Sequence, residues 1–370
     1  MKPEEFDYHL PPELIAQYPA RRRSDARMLV VRRHSGQMED SVFKRLPDYL
    51  SASDLLVLNN SRVLPARLFG HRRGLKSQPI GKRNPARRQY LSAPIEALLV
   101  RPLDDQTWEA LVRPGRKIRT GERLVFEGAP AGRDRSRRAS LEAEVIGRGE
   151  YGLRTLRFED PRALASNLER IGHVPLPPYI RRPDEASDRR RYQTVYARHP
   201  GSVAAPTAGL HFTRAILAAL ERRGVERAEI TLHVSLGTFQ PIREADLARH
   251  RLHPETFSIT PEASEQLNRA LAGGRRIVAV GTTTVRTLEH VAAQHAGCIV
   301  PGSGETTLFI QPGFRFQVVG GLLTNFHLPR TTLLMLVAAF GGQELIQAAY
   351  QHAVRQRYRF YSYGDCMLIL

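Results

Sequence analysis

Two histidines sit where an imidazole could do chemistry rather than fill space. His211 lies in residues 204–213, AAPTAGLHFT, a run of small residues with one Pro and one Gly that leads into an apolar helical pattern. Ala204, Ala205, Ala208 and Gly209 leave backbone amides open to close approach, and Thr207 adds a hydroxyl. His211 adds the one side chain there that changes charge near neutral pH. Thr213 is placed to cap a helix marked by Ile216, Leu217 and Leu220, whose positive end would face the same place. So slight a segment fills a core poorly, and a ligand is one natural partner. A tight turn with a locally satisfied His211 is the other reading. His327 stands in residues 324–329, TNFHLP, an apolar strand end that also carries the amide of Asn325.

Further polar groups follow apolar strands. Asn59, Asn60, Ser61 and Arg62 come directly after the run Leu55–Leu58, the place where open α/β sheets bind ligands. Taken alone, the segment reads better as an Asx-rich turn. Residues 233–239, HVSLGTF, repeat the theme with small and hydroxylic residues. In residues 281–286, GTTTVR, a buried strand ends in Gly, three hydroxyls (Thr282, Thr283 and Thr284) and Arg286 at a helix start. That set suits a carboxylate or phosphate, and capping accounts for one hydroxyl rather than three. Residues 360–365, FYSYGD, end in the carboxylate of Asp365. Each strand end is weak alone; all of them on one edge of one sheet would make a site.

Two motifs fail on inspection. His250-x-x-His253-x-Glu255 lacks the helical order of a zinc motif, and Pro254 breaks any helix there, so no metal is assigned. Gly302-Ser303-Gly304-Glu305 lacks the third glycine of a dinucleotide loop.

The elements that must position these groups can be read from pattern. Buried strands are expected at residues 55–58, 229–232, 276–281 and 322–324. They alternate with helices at Pro161–Ile171, 214–223, Pro261–Ala272, 285–295 and 345–357. Between them, short alternating runs at 95–100, 108–112, 123–126, 141–146 and 153–158 predict a small antiparallel barrel or sandwich. The reading is an α/β domain (1–65 and 159–370) interrupted by a small β domain (66–158). A basic, Gly- and Pro-rich loop is expected at 71–94.

With 370 residues the chain can bury a substantial core. Its 55 Lys and Arg against 37 Asp and Glu give a net charge of +18, which favours a polyanionic partner, nucleic acid first. Residues 67–138 hold 18 Lys and Arg against 7 Asp and Glu, and so carry +11 of that total. Two cysteines exclude a disulfide framework, a four-cysteine zinc site and a cluster held by three or four cysteines. The opening residues are polar and acidic, and the longest apolar run, 333–340, is too short to span a membrane, so a cytosolic protein is expected.

Taken in order, these segments resemble the S-adenosylmethionine:tRNA ribosyltransferase-isomerases of the queuosine pathway. The resemblance runs from end to end through LVLNNSRVLPARLFG (56–70), GHVPLPPYI (172–180), PTAGLHF (206–212), LHVSLGTFQPI (232–242), VGTTTVRTLE (280–289), TNFHLP (324–329) and YRFYSYGDCM (358–367). Three places depart from the pattern: the long basic insertion at 71–94, Gln311 in place of an aromatic residue, and Val319-Gly320 in place of a Val-Asp pair.

The resemblance implies a three-layer α/β sandwich domain with an inserted antiparallel β-barrel domain. It implies ribosyl transfer from S-adenosylmethionine to the aminomethyl group of 7-aminomethyl-7-deazaguanine at the wobble position of a tRNA anticodon stem-loop. Adenine and methionine leave, and the product is epoxyqueuosine. S-adenosylmethionine is then a consumed substrate, with no cofactor or metal; a monomer without membrane contact is expected. In that chemistry His211 is the first candidate for the base, His327 the second, and Asp365 an acid or orienter. Thr282, Thr283, Thr284 and Arg286 are candidates for the methionine carboxylate. Asn59, Asn60 and Asn325 are candidates for reading a base, with Arg62, Thr207, Ala208 and Gly209 beside the substrate. The rivals are a tRNA methyltransferase, which would need a glycine-rich cofactor loop not found here, and a non-catalytic RNA-binding barrel.

Overall fold

The structure is a computed structural model that describes residues 2–73, 94–115, 118–128, 139–149, 152–234, 252 and 254–370. The chain divides into two compact units: Met1–Arg62 with Leu176–Leu370, and Val63–Pro175. The divisions fall at 62/63 and 175/176, where the sequence placed them at 65/66 and 158/159.

Among the described residues seventeen strands follow in chain order. They are β1 (Arg27–Val31), β2 (Met38–Val42), β3 (Asp54–Asn59), β4 (Ser61–Val63), β5 (Arg67–Arg73), β6 (Pro94–Pro102), β7 (Thr107–Arg113), β8 (Arg123–Glu127), β9 (Ser140–Arg148), β10 (Leu153–Phe158), β11 (His199–Ser202), β12 (Glu226–Leu232), β13 (Glu255–Ile259), β14 (Arg276–Val280), β15 (Gly302–Thr306), β16 (Val319–Asn325) and β17 (Cys366–Ile369). The helices are α1 (Pro161–Ile171), α2 (Asp188–Arg191), α3 (Arg214–Arg222), α4 (Pro261–Ala272), α5 (Thr282–Gln294), α6 (Thr332–Gly341) and α7 (Gln343–Arg355).

In the first unit nine strands form one sheet in the order β15-β13-β12-β3-β14-β16-β17-β1-β2. The four strands read from sequence are its parallel centre: β12, β3, β14 and β16 all run the same way. Burial on both faces explains their nearly unbroken apolar runs. Alternate residues supply two cores. Leu55, Val57, Ile277 and Ala279 face the layer of α4, α5, α6 and α7, while Leu56, Leu58, Val278 and Val280 face α3 and the short turn of Phe43 and Leu46. The result is the expected three-layer α/β sandwich.

Capping sets the helix starts. Thr213 Oγ1 accepts from Ile216 N at 3.2 Å, and Thr260 does the same for Ala263 N ahead of Pro261. Helix α5 begins at Thr282, three residues before the apolar period, so the threonines form its first turn. Among the described residues no single helix is long and apolar enough to cross a membrane; the most apolar, α6, lies in the core.

The second unit is a closed antiparallel barrel in the order β10-β7-β6-β5-β8-β9, closed by β9 and β10. Helix α1 belongs to this unit, and its Ile171 covers Gly128, where an added Cβ would come within 2.9 Å. Both ends of the stretch expected as a loop, 71–94, are strand: His71, Arg72 and Arg73 complete β5, and Pro94 opens β6. The low hydrophobicity of HRR hid the strand. Arg72 is nonetheless buried, paired to Glu122 at 2.6 Å. Residues 74–93 lie outside the described residues.

Candidate active site

Because β12, β3, β14 and β16 are parallel, their carboxyl ends share one edge of the sheet. β17 runs antiparallel to β16, with Cys366 opposite Asn325, so the segment entering β17 reaches that same edge. The polar strand ends of the sequence therefore gather where open α/β sheets bind ligands. A cavity of about 610 Å³, counting its open mouth, lies there. Its walls include Ala205, Pro206, Thr207, Ala208, Gly281, Thr282, Thr283, Asn325 and His327.

Thr207 is in the wall and donates Oγ1 to Asn325 Oδ1 at 2.8 Å. This fixes the amide, whose Nδ2 then lies 3.3 Å from His211 Nε2 and 3.2 Å from the carbonyl of Tyr361. His211 is thus behind Asn325 and is not among the cavity-lining residues. It packs on Phe43 with ring centroids 5.2 Å apart, and burial, helped by Arg23 and Arg359, lowers its pKa to about 3. Gly209 is also turned away from the cavity: an added Cβ would meet Tyr196 Oη at 2.1 Å, so its smallness serves packing.

His327 does reach the cavity. Thr324 Oγ1 lies 2.8 Å from His327 Nε2 and 3.2 Å from the carbonyl of Asn325. The hydroxyl holds one ring nitrogen, which leaves Nδ1 as the other. Two phenols hold the backbone of this residue: Tyr8 donates to its carbonyl, and its N–H donates to Tyr350 Oη at 3.0 Å. Burial lowers the His327 pKa to about 3, so the imidazole is neutral at any physiological pH.

Gly281, at φ +91, ends β14 in a conformation that favours glycine and turns the chain into α5. Thr282 and Thr283 open that helix in the cavity wall, where its first amides make a positive end. The other two members of the motif serve the fold. Thr284 Oγ1 donates back to Val280 O at 2.8 Å. Arg286 is buried against the Glu255 carboxylate and donates Nε to Leu308 O at 2.9 Å, so its charge is already compensated away from the cavity.

Three further candidates are structural for equally concrete reasons. Asn59 Nδ2 donates to Leu232 O at 2.9 Å while its Oδ1 accepts from Leu232 N, which ties the end of β3 to that of β12. Asn60 bonds side chains of the same strand: its Nδ2 donates to Glu229 Oε2 at 3.2 Å and its Oδ1 accepts from Thr231 Oγ1 at 2.7 Å. The Asp365 carboxylate accepts from the backbone N–H of Arg27 at 2.9 Å and of Arg359 at 2.8 Å, and burial raises its pKa against those bonds. Arg62 is exposed and off the cavity wall.

Residues 360–365 reach the cavity through members other than Asp365. Tyr361 and Ser362 are in the wall with Tyr179, whose ring lies 4.1 Å from that of Tyr361 and whose hydroxyl is 2.5 Å from Ser362 Oγ. Tyr361 adopts φ +73, a left-handed conformation that non-glycine residues seldom hold. The segment FYSYGD carries both kinds of group, and its phenol and hydroxyl face the cavity while its carboxylate binds backbone. No group of His, Cys, Asp and Glu among the described residues is arranged to hold a metal ion; His250 and His253 lie outside them, as do 235–239.

Comparison with known proteins gives a full-length match. An S-adenosylmethionine:tRNA ribosyltransferase-isomerase of Solibacter usitatus is 53% identical over 372 residues, covering 100% of both chains. The protein of that name from Carboxydothermus hydrogenoformans is 47% identical, again over all of both chains. The crystal structure of an S-adenosylmethionine tRNA ribosyltransferase from Thermotoga maritima matches with a TM-score of 0.53 and 38% identity, over 99% of this chain and 100% of that one. The queuosine biosynthesis protein family matches residues 3–369, and with its cavity at the strand ends of an α/β sandwich and its separate barrel unit, the chain belongs to that family.

Proposed function

We propose that this protein transfers and isomerises the ribosyl group of S-adenosylmethionine onto the aminomethyl group of 7-aminomethyl-7-deazaguanine in the tRNA wobble position. The products are epoxyqueuosine, adenine and methionine. The observation that carries the reading is one cavity holding a neutral imidazole, a helix N-terminus with two hydroxyls, and a tyrosine wall. The full-length relatives named for this activity support it.

Each part has a task in that chemistry. The sulfonium acidifies the C5′ protons beside it, and His327 Nδ1 takes one of them. Adenine leaves C1′ and needs a proton, which the one held by His327 balances. The neutral amine bonds to C1′ and gives up a proton to solvent, the C5′ carbanion bonds to C1′ as the C1′–O4′ bond breaks, and O4′ displaces methionine from C5′ as the epoxide closes. In the strand order, Gly281–Thr283 follow the end of β14 and Tyr361 lies in the segment leading into β17, on either side of Asn325 at the end of β16. The methionine carboxylate sits at the amides of Thr282 and Thr283, and the purine lies against Tyr179 and Tyr361. His211 holds the amide of Asn325 in register instead of moving a proton. Within this proposal the protein acts on tRNA as a monomer in the cytoplasm.

The test is a product analysis with S-adenosylmethionine and tRNA carrying the aminomethyl deazaguanine. Equimolar adenine and methionine are expected. S-adenosylhomocysteine with methylated tRNA would make the protein a methyltransferase instead, and no consumption of S-adenosylmethionine would leave an RNA-binding protein.

A further inference from the structure

We infer that Tyr18 is a stacking platform for an unpaired nucleobase of the anticodon loop, fixed in place before the RNA arrives. The inference rests on the reading of tRNA as the substrate. Tyr18 is the one large hydrophobic side chain of the first unit that is exposed among the described residues, at 52%. The Arg182 guanidinium lies over its ring, 4.2 Å from the centroid. That guanidinium is itself immobilised: it donates to both oxygens of the buried Asp188 at 2.7 and 2.9 Å, and to Gln17 O at 3.0 Å. The Arg359 guanidinium holds the Tyr18 carbonyl. An aromatic ring kept at the surface by this many polar contacts is placed there by the fold, and little ordering remains to oppose binding.

The neighbourhood fits RNA better than a protein or a lipid. Arg21, Arg22, Arg181, Arg189 and Arg190 are exposed on the two segments that meet here. Arg191 bonds the carbonyls of Ala20 and Arg21, and Arg23 bonds that of Arg190, so the segments present one basic surface. Aromatic rings among arginines are how proteins take single-stranded bases, with the phosphates on the cations. The surface is also tied to the cavity. Gln17 donates to Tyr179 O at 2.9 Å and accepts from Arg181 N at 2.7 Å, and Ala16 N donates to Phe360 O. Tyr179 and Tyr361 line the cavity, so the segment that carries Tyr18 is tied directly to the cavity wall. Chemistry on a base requires it out of its stack, and a platform for a neighbour stabilises the splayed loop.

The test compares Tyr18→Ala and Tyr18→Phe in the full chain, using the modified anticodon stem-loop, a fully paired RNA duplex and S-adenosylmethionine as probes. The Ala variant is expected to raise the KM for the stem-loop about tenfold or more, and the Phe variant to stay within twofold of the wild type. Duplex affinity and S-adenosylmethionine affinity are expected to be unchanged in both. A stem-loop KM within twofold for the Ala variant would overturn the inference, as would an equal loss of duplex affinity or of S-adenosylmethionine affinity. If the wild type itself neither binds the stem-loop nor releases adenine, the underlying functional reading fails, an outcome distinct from a silent Tyr18 variant.

Discussion

Asn325 Nδ2 lies 3.3 Å from His211 Nε2, and the amide stands between that imidazole and the cavity. The two histidines that look alike in sequence therefore differ in what they touch. His211→Phe keeps a ring against Phe43 and removes the acceptor for Asn325. The expected result is a loss of about 1–3 kcal/mol in stability and a roughly tenfold drop in turnover, read by thermal unfolding and adenine release. A drop of a thousandfold with S-adenosylmethionine binding intact would return the base role to His211.

The threonine motif splits between cavity and fold. Thr283→Val is expected to raise the KM for S-adenosylmethionine severalfold with little change in stability. Thr284→Val should act on the thermal midpoint and leave that KM within twofold. Arg286→Gln leaves the buried Glu255 charge without its partner and is expected to cost about 3–5 kcal/mol, visible in chemical denaturation. If Arg286→Gln folds normally and only weakens S-adenosylmethionine, the arginine binds substrate after all.

Much of this frame was legible in the sequence, and the failures have identifiable causes. The central strands are apolar on both faces, and Pro161 and Pro261 mark helix starts, so both are plain from pattern alone. β5 was partly lost in HRR because Arg72 is buried on a carboxylate partner that no local pattern reveals. The site edge was legible as polar strand ends. Its division of labour was not, because Asn59 and Asp365 have the chemistry of ligand binders and are used to stitch backbone. Such assignments depend on long-range contacts, such as Arg27 to Asp365, that spacing cannot show.

Acid stability should carry the mark of the two buried imidazoles. Each has a folded pKa of about 3 against an ordinary value of 6.5. Below pH 6.5 the unfolded chain binds protons that the folded chain refuses, so their contribution is full above pH 6.5 and falls as pH drops toward 3. The slope is roughly 1.4 kcal/mol per pH unit for each histidine. Asp365, raised by burial, acts in the opposite sense, its share being lost as pH rises through its folded pKa. Denaturation midpoints from pH 8 to pH 4 measure the balance, and His211→Phe should flatten the curve. An unchanged slope in that variant would mean His211 is not held neutral by the fold.

Salt dependence should locate the RNA contacts. In the barrel, Arg67, Arg72, Arg73, Arg101 and Arg123 are paired to glutamates, so they are poorly placed to release counterions. Of the segment 67–138, 11 Lys and Arg with one Asp fall outside the described residues and hold nearly all its excess charge. Neutralising Arg181, Arg189 and Arg190 together is expected to weaken tRNA binding and reduce the slope of log K against log salt by about 2–3. An unchanged slope would remove this surface from the account.

The central claim is that His327, not His211, moves the proton, and single-turnover adenine release by His327→Gln tests it most directly. With S-adenosylmethionine binding measured in parallel, the account predicts release at least about a hundredfold slower than wild type, at an affinity within a few fold. Release within threefold of wild type at unchanged affinity would contradict it.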